Sequence, residues 1–321
     1  MTIGNIDLGE RPILLAPMED VTDAGFRLLC RQLGADMVYT EFAAADAIVR
    51  MVPSTLAKMV IAPEERPAVV QIYGRDPHTM AQAAQIVAER IQPDILDINF
   101  GCPVKRVAGK GAGAGMLQTP DLMLDITRAV VEAVRPMPVT VKTRLGWDSS
   151  HIIIGELAPR LQDCGIQALT IHGRTRAQMY TGTADWAPIA AVKADPRIVI
   201  PIIANGDIDS PQRARDCFDQ TAADAIMVGR ATFGAPWIFA ELKGRTLTVD
   251  DKLNLLRQQV TMSVERLGEY SGILHSRRHL AATPLFKGIA NFRPLRISIL
   301  RADTCASLFA LIDEAAALIP R

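Results

Sequence analysis

Residues 95–103 of this chain are Ile-Leu-Asp-Ile-Asn-Phe-Gly-Cys-Pro, an apolar run that ends in glycine, cysteine and proline. Such a run is typical of a strand buried on both faces of a parallel sheet. Pro103 has a fixed φ angle and favours an extended conformation at Cys102, which predicts a thiol on an ordered loop at a strand end. Lys105 and Arg106 follow directly. We therefore expect chemistry at Cys102, with cations beside it.

Short apolar runs like this one recur at regular intervals along the chain, and segments with helical spacing separate them. The apolar runs are residues 13–18, 37–42, 68–73, 95–100, 139–145, 168–171, 199–204 and 225–228. The helical segments include 80–90, 121–134, 154–164 and 211–221, with Thr119 and Ser210 as N-caps before prolines. Eight strands alternating with helices predict an α/β fold, a TIM (β/α)8 barrel, with a doubly wound open sheet as the alternative.

The pattern changes after Arg230. No strand-like run follows residue 237, and helical spacing predicts helices over 250–267, 276–290 and 303–318. We place a domain boundary near Gly244. Residues 1–244 are then the barrel, and residues 245–321 are a small C-terminal all-helical domain.

Charge is balanced, with 35 basic against 35 acidic residues, so a nucleic-acid site would have to be a local patch. The stretch 275–302 is the best candidate, because it carries six cations and no acidic residue. These cations are Arg277, Arg278, Lys287, Arg293, Arg296 and Arg301. The stretch is either a solvated helix face or a surface for a phosphate backbone.

Five scattered cysteines without a C-x-x-C pair indicate a reducing compartment and no structural metal site. His275 and His279 have helical spacing, but no acidic or cysteine partner lies near them, so we expect no zinc. The N-terminus lacks the apolar core of a signal peptide, and no apolar stretch approaches the ~20 residues that span a bilayer. We therefore expect a soluble, cytoplasmic protein with no membrane contact.

The active site of a TIM barrel lies at the C-terminal ends of its strands. The residues at those positions are Ala16, Pro17, Met18, Gln71, Asn99, Cys102, Lys142, Arg144, His172, Arg174, Asn205, Gly206, Asp207, Gly229 and Arg230. Polar side chains inside apolar strands are costly unless paired, so Gln71, Asn99 and Lys142 indicate a bound polar ligand. His172 alone would more often be a core residue, but its neighbours favour a ligand contact.

Glycine turns follow strands seven and eight, where many barrels bind a phosphate, and Arg230 adds a positive charge there. Lys142 could form a Schiff base, face an anionic cofactor ring or extend to the rim. Cys102 could be a nucleophile with an adjacent base, or an acid that keeps its proton. The glycine-rich run 109–115 lacks the ending of a phosphate-binding loop, and we interpret it as a mobile loop over the site.

Seven segments, in this order and spacing, resemble the tRNA-dihydrouridine synthases. They are APMEDVTDAGFR (16–27), VVQIYG (69–74), DINFGCPVKRV (97–107), VKTRLGW (141–147), LTIHGRTR (169–176), IIANGDI (202–208) and MVGRA (227–231). The similarity runs from about residue 13 to residue 237 and continues weakly into the tail. The combination of DINxGCP, HGRTR and NGDI is specific.

The resemblance implies an FMN flavoprotein with a TIM barrel and a helical tRNA-binding domain. Such an enzyme reduces the C5–C6 double bond of a uridine, here one of the D-loop, and NADPH or NADH reloads the flavin. By resemblance, Cys102 is the proton donor and Asn99 orients the uracil. The flavin contacts would be Ala16, Pro17, Met18, Gln71, Lys142, His172, Asn205, Gly206, Asp207, Gly229 and Arg230. The tRNA contacts would be Lys105, Arg106, Arg144, Arg174, Arg176, Arg277, Arg278, Lys287 and Arg293.

Two other functions remain open from the sequence. One is a small-molecule FMN oxidoreductase of the dihydroorotate or dihydropyrimidine dehydrogenase kind, which the basic helical tail disfavours. The other is a non-catalytic RNA-binding protein, which the presence of Cys102, Lys142 and His172 disfavours. We expect the protein to act as a monomer.

Overall fold

The structure, a computed structural model, describes residues 1–319. Its centre is a set of eight parallel strands arranged as a nearly closed barrel. The strands are β1 (Ile13–Leu15), β2 (Val38–Tyr39), β3 (Ala68–Tyr73), β4 (Ile95–Phe100), β5 (Val139–Arg144), β6 (Leu169–His172), β7 (Ile202–Asn205) and β8 (Ala225–Val228). β8 pairs with β1, and a single bridge between Leu14 and Met37 joins β1 to β2. The TIM-barrel prediction is confirmed.

The barrel closes because its strands bury side chains on both faces. All six residues of β4 are buried, as the continuous apolar run predicts. Inside the barrel a compact cluster includes Leu14, Met37, Val69 and Met227. Ile3 packs against it from an N-terminal hairpin, in which Thr2–Ile3 pairs with Ile6–Asp7. Alternate residues of the same strands pack outward against the helices. The interior is therefore filled with side chains, which leaves the strand ends as the place for a site.

The barrel helices are Ala24–Gln32, Ala45–Val49, Pro53–Lys58, Pro77–Arg90, Lys105–Ala108, Pro120–Val134, Ile154–Asp163, Ala187–Ala194, Pro211–Thr221 and Ile238–Leu242. Ser210 caps its helix as predicted, because its side chain accepts a hydrogen bond from the N–H of Arg213. The side chain of Thr119 makes no cap hydrogen bond, and its hydroxyl contacts the carbonyl of Met116 instead.

In the C-terminal region up to residue 319, the structure has four α-helices: Val249–Leu267, Glu269–Ala282, Arg293–Arg301 and Cys305–Ala317. The predicted helix over 276–290 is wrong in its extent. It begins earlier and ends at Ala282, because Pro284 cannot continue it, and a short 3-10 turn follows at Pro284–Phe286. A separate apolar cluster, including Leu256, Ile273 and Leu308, packs these helices together. The predicted boundary near Gly244 stays a prediction. Within residues 1–319, no helix is both long and apolar enough to cross a membrane.

Helix Glu269–Ala282 contacts two loops at the C-terminal face of the barrel. In the loop after β1, the Asp23 carboxylate lies 3.3 Å from His275 Nδ1 of this helix. It also lies 3.0 Å from the guanidinium of Arg266, on the preceding helix Val249–Leu267. In the loop after β8, the N–H of Gly234 donates to His279 Nδ1 at 3.2 Å. Burial lowers the pKa of His279 to about 3, so its ring is neutral and can accept this bond. The helical region is thus attached at the same end as the strand termini.

Asp23 also caps helix Ala24–Gln32 by accepting from the N–H of Phe26 at 3.0 Å. Replacing Asp23 with Ala should lower the free energy of unfolding by about 1–2 kcal/mol, since an N-cap is lost together with both tail contacts. The measurement is urea unfolding. Asp76→Ala is the matched control, because Asp76 caps helix Pro77–Arg90 through the N–H of Thr79. An equal loss in both variants would contradict a role of Asp23 in attaching the tail.

Candidate active site

A chain of buried polar side chains runs from β5 across β4 and β3 to the cysteine loop. Asp97 accepts from the Thr140 hydroxyl at 2.6 Å and from Gln71 Nε2 at 2.7 Å. Gln71 Oε1 in turn accepts from Asn99 Nδ2 at 2.7 Å. Asn99 Oδ1 accepts from the backbone N–H groups of Gly101, at 3.0 Å, and of Cys102, at 2.9 Å. Of the polar residues predicted inside strands, Gln71 and Asn99 are therefore paired with each other, whereas Lys142 bonds Asn205 instead.

Cys102 lies at the end of β4 in a small apolar cluster that includes Val107 and Ala112 and is flanked by Tyr73. Its exposed fraction is 9%, so it borders the mouth of the barrel but is largely covered. Burial, above all, raises the pKa of the Cys102 thiol, although the N–H of Val104 and two arginines oppose this shift. The thiol is therefore protonated at neutral pH. This state suits an acid better than a nucleophile.

Lys142 on β5 extends its amine to Asn205 Oδ1 at the end of β7, 3.0 Å away. Asn205 is held by donation from its Nδ2 to the carbonyl of Met227 at 2.7 Å. Burial is the main cause that lowers the pKa of Lys142 to about 8, and Arg144 adds repulsion. The amine is therefore charged at neutral pH but only partly compensated by protein groups. Such an amine can neutralise an anionic ligand.

His172 ends β6 and is 7% exposed. Burial and nearby positive charges hold its pKa well below the usual range. In order of effect, these charges are Arg144, Lys142, Arg174 and Arg230. The imidazole is therefore neutral. Arg174 lies 3.4 Å from Nε2, which fits an arrangement in which Nε2 accepts and Nδ1 carries the proton.

Asp207, which follows β7, holds two of these cations. Its carboxylate accepts two bonds from Arg174, at 2.9 and 2.7 Å, and one from Arg230 at 2.8 Å. The arginine bonds, together with the N–H of Ala184, keep the pKa of Asp207 low, although burial opposes them. Gly206 before it has φ of 124°, and an added Cβ would come within 3.0 Å of His172 Cδ2. Glycine is needed there for the backbone to pass close to the ring.

The ends of β1 and β8 meet at this corner. A Cβ added to Gly229 would lie 3.5 Å from the Cβ of Ala16 and 3.6 Å from Met18 Sδ. Arg230 follows Gly229 and lies over the ring of Tyr180, with 5.1 Å between the guanidinium carbon and the ring centroid. The structure thus brings together the residues that the sequence assigned to the ends of β1, β5, β6, β7 and β8.

Two arginines predicted to contact tRNA are instead buried. Arg144 is 2% exposed and donates to the carbonyls of Gly101, Thr175 and Met179. Arg174 is 1% exposed and bonds Asp207 and two loop carbonyls. These guanidinium groups hold the loops after β4, β6 and β7, and their bonds leave no accessible surface for a phosphate backbone.

The remaining predicted tRNA contacts lie nearer the surface. Lys105, Lys287 and Arg293 are exposed, and the Arg106 side chain is 69% exposed, 3.7 Å from Glu19. Arg176 lies over the ring of Trp147 at 4.5 Å. In the tail, Arg278 lies 3.4 Å from Asp20 of the barrel, and Arg277 donates to the carbonyl of Ala302. The basic stretch is therefore partly engaged by protein and partly free.

The glycine-rich run 109–115 is a surface loop only in its first half, because residues 109–111 are exposed and residues 112–115 are packed. Its predicted mobility stays a prediction. Ala112, Gly113, Ala114 and Gly115 are buried, and the N–H of Ala114 donates to the carbonyl of Cys102 at 3.0 Å. A Cβ at Gly115 would lie 2.4 Å from the carbonyl oxygen of Ala108. The glycines therefore allow close packing beneath the cysteine loop.

Four residues around the site were not assigned a role from the sequence: Asp97, Thr140, Glu19 and Asp23. Asp97 and Thr140 could have been found, because both are polar residues inside apolar runs. Glu19 lies in the loop after β1, where Lys58 bonds its carboxylate at 2.7 Å. Its contacts come from residues distant in the chain, and no local pattern indicates them.

The mouth of this parallel barrel combines a protonated thiol, a half-buried amine and several arginines, an arrangement typical of an enzyme active site. Comparison with known proteins identifies the enzyme as an oxidoreductase. The family model described as "Dihydrouridine synthase (Dus)" matches residues 14–307. The chain belongs to this family, as the resemblance predicted.

Curated relatives agree with the family match. "tRNA-dihydrouridine synthase B" of Vibrio cholerae is 43% identical over 289 residues, which is 88% of this chain and 88% of that protein. The protein of the same name from Shewanella oneidensis is 38% identical over 321 residues, covering 98% of this chain and 97% of the relative.

Solved structures share the fold at low identity. The old yellow enzyme from Trypanosoma cruzi has a TM-score of 0.52 and 10% identity, over 77% of this chain and 92% of its own. A morphinone reductase mutant in complex with tetrahydroNAD has a TM-score of 0.56 and 12% identity, over 76% and 89%. At these identities the likeness shows the barrel alone.

Proposed function

We propose that this protein is a tRNA-dihydrouridine synthase that reduces the C5–C6 double bond of a D-loop uridine. The observation that carries the proposal is the thiol of Cys102, kept protonated at the mouth of a barrel that belongs to the dihydrouridine synthase family. The names of the relatives, which cover most of the chain, support tRNA as the substrate.

The residues at the mouth fit an FMN cofactor. Lys142, Arg144, Arg174 and Arg230 surround His172, and among the described residues only Asp207 forms ion pairs with any of these four cations. Four cations around one carboxylate leave an excess of positive charge, which favours an anionic ligand such as a flavin phosphate. The phosphate would be held near Gly229 and Arg230, and the ring near Ala16, Pro17, Met18 and Lys142. Gln71 is fully buried and bonded at both amide atoms, so it would act on the site through Asn99 and not by direct contact. His172, Asn205, Gly206 and Asp207 would complete the cofactor site, with Asp207 acting through its arginines.

When bound and reduced by NADPH or NADH, the flavin supplies the hydride for C6 of the uracil. The chain's own residues supply the rest. Cys102 keeps its proton in its apolar cluster and delivers it to C5 from the opposite face of the base. Asn99 has a second N–H, beyond the one given to Gln71, that can bind a uracil carbonyl. The base must leave its stack to reach this mouth.

The tRNA backbone would lie across the exposed cations on the mouth and tail. We assign contact to Lys105, Arg106, Arg176, Arg277, Arg278, Lys287 and Arg293, and we assign Arg144 and Arg174 to holding the loops. Helix Glu269–Ala282 is attached beside the loop after β1, so cations on both regions can contact one substrate. We further propose that the protein is monomeric and cytoplasmic. Its five unpaired cysteines support the cytoplasmic location, because disulfides are rare in that compartment.

The test is to reduce the purified yellow protein with NADPH or NADH and then to add unmodified tRNA, free uracil or orotate under anaerobic conditions. Rapid flavin reoxidation by tRNA alone supports the proposal. Faster reoxidation by orotate or uracil would favour a small-molecule oxidoreductase. A colourless protein that still binds tRNA would favour a non-catalytic RNA-binding protein. Mapping dihydrouridine in tRNA from cells without the gene should show loss at one D-loop position.

A further inference from the structure

Asp97 is a buried carboxylate that lies two residues before Asn99 on β4. Its side-chain hydrogen bonds within residues 1–319 are with Gln71 and Thr140, and the cysteine loop gives it none. It is 0% exposed, as are Gln71 and Thr140, while Asn99 is 6% exposed. Asp97 begins the chain of hydrogen bonds described above, which ends at the backbone N–H groups of Gly101 and Cys102. The four side chains therefore form one connected unit beneath Cys102.

The direction of donation along this unit is fixed from both ends. At the cysteine end, backbone N–H groups can only donate, so Asn99 must present its oxygen to them and its nitrogen to Gln71. Gln71 must then present its oxygen to Asn99 and its nitrogen to Asp97. At the other end, burial raises the pKa of Asp97 to about 6, so at pH 8 this carboxylate is ionised and can only accept. Both ends therefore specify the same direction.

We propose that Asp97 is a positioning residue for Cys102, because its carboxylate sets the direction of the two amide side chains that hold the cysteine loop. Reversal of the amides would place Asn99 Nδ2 against the N–H groups of Gly101 and Cys102, two donors facing one another, and would release the loop. The same direction leaves the second N–H of Asn99 Nδ2 available to a carbonyl oxygen. This inference rests on the proposed function only in the roles of the two groups toward substrate, which are proton donation by Cys102 and binding of the uracil carbonyl by Asn99.

The first experiment compares a variant that lacks a hydrogen-bond acceptor at position 97 with a variant that keeps one. Asp97→Leu leaves Gln71 Nε2 without a partner and frees both amides to reverse. Asp97→Asn can still present its oxygen to Gln71 while its nitrogen donates to the Thr140 oxygen. We expect iodoacetamide to alkylate Cys102 roughly tenfold faster in the leucine variant, the change expected from one lost buried hydrogen bond. The asparagine variant should stay within roughly twofold of the wild type.

The second comparison reverses the direction deliberately. Asn99→Asp places a carboxylate against Gln71 Oε1, and Gln71 cannot turn because Asp97 only accepts. In the double variant Asp97→Asn with Asn99→Asp, Gln71 can turn, donate to the new carboxylate at position 99 and accept from the new amide at position 97. We expect Cys102 in the single Asn99→Asp variant to be alkylated roughly tenfold faster than in the double variant. Both variants carry the same carboxylate at position 99. The double variant lacks the charge of Asp97, which would favour the thiolate and speed alkylation there, so this charge effect is opposite in sign to the expected difference.

Alkylation is followed at pH 8 on the flavin-loaded protein by peptide mass spectrometry, with the partly exposed Cys305 as the internal reference. If Asn99→Asp does not fold, recovery of folded protein in the double variant tests the same coupling. Equal alkylation of Cys102 in the single and double variants, or failure of both to fold, would overturn the inference. Because this measurement needs no tRNA, its failure is distinguishable from failure of the proposed function. Turnover of tRNA should remain slow in the double variant even though the cysteine loop is restored, because aspartate at position 99 has no N–H for the uracil carbonyl.

Discussion

Replacing Cys102 with Ala is expected to slow the tRNA-dependent reoxidation of the flavin by roughly 10²–10⁴-fold, the usual contribution of a general acid. The physical reason is that the thiol is the group at the mouth that keeps its proton because it is buried. Reduction of the flavin by NADPH should not change, because that half-reaction needs no proton at uracil C5. Stopped-flow absorbance of the flavin measures both half-reactions on the same protein.

Cys164→Ala is the matched control for this substitution. Its sulfur is also buried, with a raised pKa, but it donates to the carbonyl of Arg160 on the outside of the barrel. Its removal should leave both half-reactions unchanged. If Cys102→Ala reoxidised with tRNA at the wild-type rate, the proton would have to come from elsewhere and the assigned role of Cys102 would be wrong. Loss of flavin colour in this variant would point to a disrupted mouth.

The fold could be predicted because its signal is repeated and local. Each strand of the barrel is an apolar run of a few residues, and each of the eight predicted runs overlaps one strand of the structure. Six runs contain the whole strand, whereas β6 and β7 extend one residue further, to His172 and Asn205. Helix starts were predictable where proline and a capping side chain occur together, as at Ser210. The error over 276–290 arose because the periodic apolar pattern continues past Pro284, whereas the backbone cannot remain helical there.

The site was predictable where chemistry depends on strand ends, and less so where it depends on distant partners. Barrel topology alone brings Lys142 next to Asn205, residues that are remote in sequence. By contrast, the charge pattern could not separate Arg174, which is buried on Asp207, from Arg176, which lies near the surface. Burial is a property of the folded chain, and the local sequence of a motif does not indicate which of its two arginines is buried. The buried charge of Asp97 was visible in the sequence, but its partners Gln71 and Thr140 become evident only in the barrel.

Replacing Lys142 with Met should have opposite effects on cofactor chemistry and on the stability of the flavin-free protein. Flavin reduction by NADPH is expected to slow by roughly 10²–10³-fold, the usual cost of removing one preorganised charge or donor at a developing negative charge. The flavin-free protein should become more stable at pH 7, because a buried ammonium with incomplete compensation is replaced by an apolar side chain of similar length. Stopped-flow reduction and urea unfolding measure the two effects.

The pH dependence of the stability effect has a definite sign. Burial lowers the pKa of Lys142 to about 8, against an ordinary value of 10.5, so between these values the unfolded wild type binds a proton that the folded protein does not. The contribution of Lys142 to the free energy of unfolding of the wild type therefore rises with pH between these two values. The advantage of the methionine variant is full below pH 8 and is lost by about pH 10.5. Lys110→Met, at an exposed lysine, is the control and should show no such change. The contrary outcome is a stability difference between Lys142→Met and wild type that stays constant from pH 7 to above pH 10. It would show that folding does not lower the pKa of Lys142, and the role of this amine toward an anionic ring would then lack support.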